Sequence, residues 1–146
     1  MERRKKIVST IIRPQVSKKN KYYVEKHRYY ELKHFCLQYP IWKKAYKALV
    51  GLSSRPVDLE AISKTNRVSN PTERCAEAML KYSRMIEMIE QTAIETDSEL
   101  YSYILTGVTE GCTYEYLKSR LDIPCCRQTY YELYRKFFYL LNKVRE

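Results

Sequence analysis

The stretch "NPTERCAEAMLKYSRMIEMIEQTAIET", residues 70–96, constrains the fold more than any other part of the chain. Apolar side chains recur in it at Cys75, Ala78, Met79, Tyr82, Met85, Ile86, Ile89 and Ala93. The steps alternate three and four residues over roughly six turns, which is the period of an α-helix and not of a strand. Asn70 followed by Pro71 supplies a start: an N-cap side chain, then proline at the first helical position, where no amide hydrogen is needed. Glu73 stands three residues after Asn70, placed to reach back to the N-cap amide. A helix over most of 71–96 must cover its stripe with other helices or with a second copy. Taken alone, the stripe is core or a dimer seam and carries no chemistry.

Other segments follow the same period. Tyr29, Leu32, Phe35 or Cys36, and Tyr39 form an apolar stripe on a basic segment that becomes helical near Tyr23. Pro40 disfavours helix at Tyr39 and suits the first turn of a second helix, "PIWKKAYKALVGL". That helix carries Ile41, Trp42, Ala45, Ala48 and Leu49 on one side, with Gly51 as a left-handed end. Residues 52–69 interrupt the pattern, with a short helical turn at 57–62 as the most they suggest. Beyond the central helix, Asp97 or Ser98 can cap a segment whose apolar residues are Tyr101, Ile104, Leu105 and Val108. No strand-like alternation survives beyond four residues, and three glycines and five prolines argue against a loop-rich sheet protein. The expectation is an all-α protein of five to six helices. It divides into a basic flexible arm over 1–21, a helical scaffold over 22–97 and a helix-turn-helix segment over 98–146.

The last segment, "EGCTYEYLKSRLDIPCCRQTYYELYRKFFYLL", reads as two helices joined by a tight corner. Thr113 can N-cap the first, with Tyr114, Leu117 and Leu121 as its inner face. Ile123 is the apolar residue of the corner, and Pro124 stops the preceding helix from continuing. In the second helix Thr129, Leu133, Phe137, Leu140 and Val144 fall on one side. Gln128, Tyr131, Arg135 and Phe138 fall opposite, flanked by Arg127, Tyr130 and Tyr134. Arginine and glutamine on such a face suit base edges, and tyrosine hydroxyls suit phosphates. The competing reading is a C-terminal hairpin that packs a protein partner, and an outward Phe138 favours it.

Charge sharpens the choice. The chain carries 27 basic and 17 acidic residues, a net charge of +10. Residues 1–28 hold ten basic and two acidic side chains, and residues 113–146 hold seven and four. The middle is nearly neutral, so the surplus sits at both ends, as an anion-binding surface on a neutral scaffold would place it. A solubilising tail with a solvated helix face would look similar. Within the arm, Arg3, Arg4, Lys5, Lys6, Lys18, Lys19 and Lys21 are the candidate phosphate contacts. In the terminal helix, Arg127, Gln128, Tyr130, Tyr131 and Arg135 are the candidate DNA contacts.

Five cysteines, at 36, 75, 112, 125 and 126, are odd in number and contain no CxxC pair. His27 and His34 have no zinc-like spacing, so no metal or other cofactor is expected. This usage fits a reducing cytoplasm. "IVSTII" is cut short by Arg13 and Pro14 and is no signal core, and no membrane span is expected. With no carboxylate pair, no nucleophile–base set and no metal spacing, an enzyme is not expected.

"EGCTYEYLKSRLDI" resembles region four of sigma-70 factors, where an "EG-x-[ST]-[YF]-x-[ED]-[IL]-[AS]" helix precedes the recognition helix. Over about residues 28–145 the layout is similar to small phage late-transcription regulators of the RinA and ArpU type. The shared features are a first helix ending in Tyr39-Pro40, a central helix opening at "NPTERCAEAM", and the closing helix-turn-helix. The resemblance implies a regulator of a bacterial host cytoplasm that binds double-stranded DNA. Host RNA polymerase or another host protein, and a second copy of the chain, are the further partners it implies. "PCCRQ" departs from the usual capped corner and is one residue longer. Tyr130, Tyr131 and Tyr134 replace the usual lysine, serine and arginine mixture. Two alternatives stand beside it: a phage protein that binds and inhibits a host or defence protein, in the manner of an anti-CRISPR, and a small DNA-packaging (terminase) subunit.

Overall fold

Helix formation here is dictated by caps and by aromatic stripes that must leave water. The structure is a computed structural model that describes residues 18–53 and 71–145. Six helices lie within them: α1 (Lys26–Leu37), α2 (Tyr39–Ser53), α3 (Pro71–Thr96), α4 (Tyr101–Glu110), α5 (Tyr114–Leu121) and α6 (Arg127–Val144). No strand occurs among the described residues, so the all-α expectation holds. None of these helices is long and apolar enough to cross a membrane.

The central helix α3 spans Pro71–Thr96 with Glu73 in its first turn, as its period predicts. Asn70, its expected cap, and the expected turn at 57–62 lie outside the described residues. Burial along α3 is uneven. Cys75, Ala78, Met79, Tyr82, Met85 and Ile86 are half-buried, whereas Ile89, Thr92, Ala93 and Thr96 are buried. The threonines cost little there, because Thr92 and Thr96 donate to the carbonyls of Met88 and Thr92, at 2.6 and 2.7 Å. α3 packs along α2 and also against α4 and α6.

In α1 the stripe Tyr29, Leu32, Phe35 and Cys36 is buried, and Tyr39 continues it into α2. The helix begins at Lys26 and not at Tyr23, because the Glu25 side chain caps the amides of His27 and Arg28. A single residue, Gln38, separates α1 from α2. Trp42 is buried and packs edge-on to Phe35 with centroids 4.8 Å apart. The expected one-sided stripe of α2 needs correction: Ile41 is 66% exposed and Ala48 is exposed. Gly51 does not end α2 either. The helix runs on to Ser53, and the left-handed glycine among the described residues is Gly111.

α6 packs against α1, α3 and α4. Its buried residues are Tyr130, Tyr134, Phe137, Phe138 and Leu141. The expected inner stripe is therefore corrected: Thr129 and Val144 are exposed and Leu133 is half-buried. The buried stripe lies about 80° round the axis from the expected one, at ~100° per residue. Residues of 22–97 and of 98–146 share one core, in which Tyr29, Leu32 and Ile89 join Tyr134, Phe137 and Leu141. At its far end α6 is tied to α1. Arg28 donates to the Asn142 side chain at 2.7 Å and to the Arg145 carbonyl at 2.6 Å. The Arg145 guanidinium lies 3.8 Å from the Phe35 ring centroid.

Candidate nucleic-acid interface

The approach to the corner is set by two left-handed residues. α4 ends at Gly111, φ 68°, and the Cys112 amide donates back to the Gly107 carbonyl at 3.2 Å. Thr113 then adopts an extended backbone and its hydroxyl accepts from the Tyr116 amide at 3.3 Å, so the expected N-cap is present. α5 ends at Asp122, φ 51°, one of the residue types that tolerates this region. The amides of Asp122 and Ile123 both return to the Leu117 carbonyl. Ile123 is fully buried with Leu117, the apolar contact that usually accompanies such an ending. Helix α5 thus stops at Asp122, before Pro124 can stop it. Leu121, expected inside, is 44% exposed.

Aromatic struts hold α5 against the start of α6. The Tyr114 hydroxyl donates to the Cys125 carbonyl at 2.7 Å, and the Tyr131 hydroxyl accepts from the Tyr114 amide at 3.5 Å. Tyr130 sits between them, with its ring 6.0 Å from Tyr114 and 5.2 Å from Tyr131. It packs so close to α4 that a Cβ built on Gly107 would overlap its hydroxyl. That hydroxyl is buried with no hydrogen-bond partner among the described residues. Burial pushes its pKa well above the ordinary phenol value, so it stays neutral.

Outside this frame, the first turn of α6 meets solvent. Arg127, Gln128 and Thr129 are exposed. The Arg127 guanidinium meets the Glu115 carboxylate at 2.7 Å, with side chains 63% and 58% exposed. It also lies 5.5 Å from the Tyr131 ring centroid. An exposed pair of this kind is worth about 0–1 kcal/mol, so a phosphate or a base edge can displace the carboxylate at little cost. Cys126 precedes this turn in extended backbone. The Thr129 hydroxyl, then the neighbouring amides, draw its exposed thiol below the usual cysteine value.

The expected site residues therefore separate. Arg127 and Gln128 share one exposed turn. Tyr130, expected at DNA, is fully buried and is removed from the site. Tyr131 is half-buried and props Arg127. Arg135 is half-buried, with its Nε buried and unbonded among the described residues, and does not share the exposed turn of Arg127 and Gln128. Lys18, Lys19 and Lys21 are exposed. Lys21 lies over Tyr22, whose ring packs on Tyr139 at 5.7 Å. Tyr139 follows Arg127 by twelve residues, about 18 Å along the axis at ~1.5 Å per residue. The described end of the arm thus sits beside the far end of α6. Arg3, Arg4, Lys5 and Lys6 lie outside the described residues. Glu115 was missed from sequence because only the corner brings it to Arg127.

No family model matches the chain, and no curated protein or solved structure matches it.

Proposed function

We propose that this chain is a DNA-binding regulator of the phage late-transcription type, reading duplex DNA with the first turn of α6. The observation that carries the proposal is the protrusion of Arg127 and Gln128 from a helix whose next turns are locked in the core. Recognition helices present their amino-terminal residues to base edges in this way, while the preceding helix crosses the backbone. α5 and its corner take the place of that preceding helix in a sigma-like helix-turn-helix. The arm, through Arg3, Arg4, Lys5, Lys6, Lys18, Lys19 and Lys21, adds phosphate contacts without sequence preference. Polymerase or a second copy would be met in the bacterial cytoplasm where such DNA lies. The reading of the last helices as a protein-binding hairpin leaned on an outward Phe138. Phe138 is 2% exposed and Tyr134 4%, which leaves those rings no surface to offer.

The test is a mobility shift with random duplex DNA at two salt concentrations. Binding that weakens steeply with salt supports the assignment. Failure to bind any duplex at low salt removes it.

A further inference from the structure

A second basic surface lies outside every residue assigned above. Tyr39, Lys43, Lys44 and Lys47 of α2 face Thr109 and Glu110 of α4 across a groove of about 320 Å³. The three lysines occupy positions i, i+1 and i+4, so they share one side of the helix within about 100°. α2 contains no acidic residue to offset them. Like charges at this spacing weaken a helix slightly. Lys43 is placed by its neighbours: its ammonium lies 3.8 Å from Glu90 and 5.1 Å from the Tyr39 ring centroid, yet the side chain stays 48% exposed. Lys44 and Lys47 are exposed and have no acidic partner among the described residues. The first turn of α2, Tyr39 and Pro40, also lines the groove. The one carboxylate on the lining is Glu110, at the α4 rim.

Position gives this surface its meaning. Glu110 is the last residue of α4, and residues 111–113 lead from it directly into α5. Glu115, in the first turn of α5, holds Arg127. The α4 rim of the groove is therefore linked to the Arg127 turn by one short connection and α5. We propose that this groove seats backbone phosphates of the duplex flanking the stretch met by α6, with Lys44 and Lys47 as the contacts and Lys43 supporting them. The assignment rests on the DNA-binding reading and extends it to a surface with no role in base recognition.

The experiment uses the full chain and random duplex DNA, with salt varied over a decade. The test variant is Lys44→Gln/Lys47→Gln. The charge-matched control is Lys81→Gln/Arg84→Gln, whose side chains are exposed on α3. All four substitutions replace exposed, helix-compatible residues, and circular dichroism confirms equal folding. The expected result is a fall of about 1.8 in the slope of log K against log salt for the test pair, at about 0.9 per phosphate contact. The control keeps the wild-type slope, and the loss is the same for every sequence tried. If the wild type binds and the test pair keeps its slope, the groove is a solvated face and only this inference falls. An equal drop in the control would assign the effect to bulk charge and overturn it as well. If the wild type binds no duplex, the DNA reading itself fails and takes the groove with it.

Discussion

The first turn of α6 and the turns that follow it belong to one helix but to two environments. Arg127, Gln128 and Thr129 meet solvent, and beginning with Tyr130 the helix is clamped between α1, α3 and α4. The buried part is mostly aromatic: Phe138 meets Tyr134 and Phe137 edge to face, Tyr130 lies tilted against Tyr134, and Tyr29 and Tyr134 share a hydroxyl–hydroxyl hydrogen bond of 2.7 Å. Burial raises the Tyr29 hydroxyl to about 12 and Tyr134 higher than its ordinary value, so the pair stays neutral near pH 7. A short solvent-exposed end is thus carried by a helix whose following turns are buried among aromatic rings. The ordering cost of the Arg127 turn is met by packing elsewhere on the same helix.

The largest effect is expected in the core turns. Phe137→Ala should cost about 3–5 kcal/mol of folding stability in urea titrations, as truncations of buried aromatic residues do. Gln128→Ala, nine residues earlier, should stay within about 0.5 kcal/mol. Equal losses at the two positions would erase the distinction between the halves of α6.

Next comes the contact that fixes where the core begins. Gly107→Ala places a Cβ on the Tyr130 hydroxyl, and Tyr130 has no room to retreat. A loss of about 1–3 kcal/mol is expected from overpacking. Tyr130→Phe removes the clashing oxygen and an unbonded buried hydroxyl, so alone it should be neutral or stabilising. Combined, Tyr130→Phe should restore most of what Gly107→Ala loses. Purely additive effects in that double-mutant cycle would mean the two side chains do not meet.

At the exposed turn, Arg127→Ala should cost about 1–3 kcal/mol at a specific DNA site if the lost contact is to a base, with thermal stability nearly unchanged. Glu115→Gln removes the carboxylate that holds the same guanidinium, so affinity for random duplex at low salt should rise in a mobility shift. If Arg127→Ala keeps full affinity at every site, the first turn of α6 is not the reader.

The smallest change is chemical. Iodoacetamide near neutral pH should label Cys126 first, since Thr129 and the helix amides favour its thiolate. Cys36, Cys112 and Cys125 should lag, because burial pushes each of their thiols up. Peptide mapping that finds Cys125 and Cys126 labelled at the same rate would blur the boundary drawn at the start of α6.

Much of the architecture was legible in the chain itself. The three- and four-residue steps of α3, the proline at its first turn and the Thr113 cap all depend on near neighbours, and local chemistry fixes them. The inward face of α6 did not follow from periodicity. Leu133, Leu140 and Val144 fit one stripe as well as Tyr134, Phe138 and Leu141 fit another, because apolar and aromatic side chains surround this helix. Tyrosine adds to the ambiguity, since its hydroxyl suggests a polar face while its ring gains most from burial. Tertiary packing chose the stripe: three helices converge on α6, and the side presenting the largest rings to them went inside. The same packing brought Glu115 to Arg127 and set the α2 lysines beside the end of α4. The sequence alone determined that these segments are helical and where helices such as α3 and α5 begin. Which of their faces meet, and so which cations share a surface, was decided only when distant segments competed to cover the same aromatic rings.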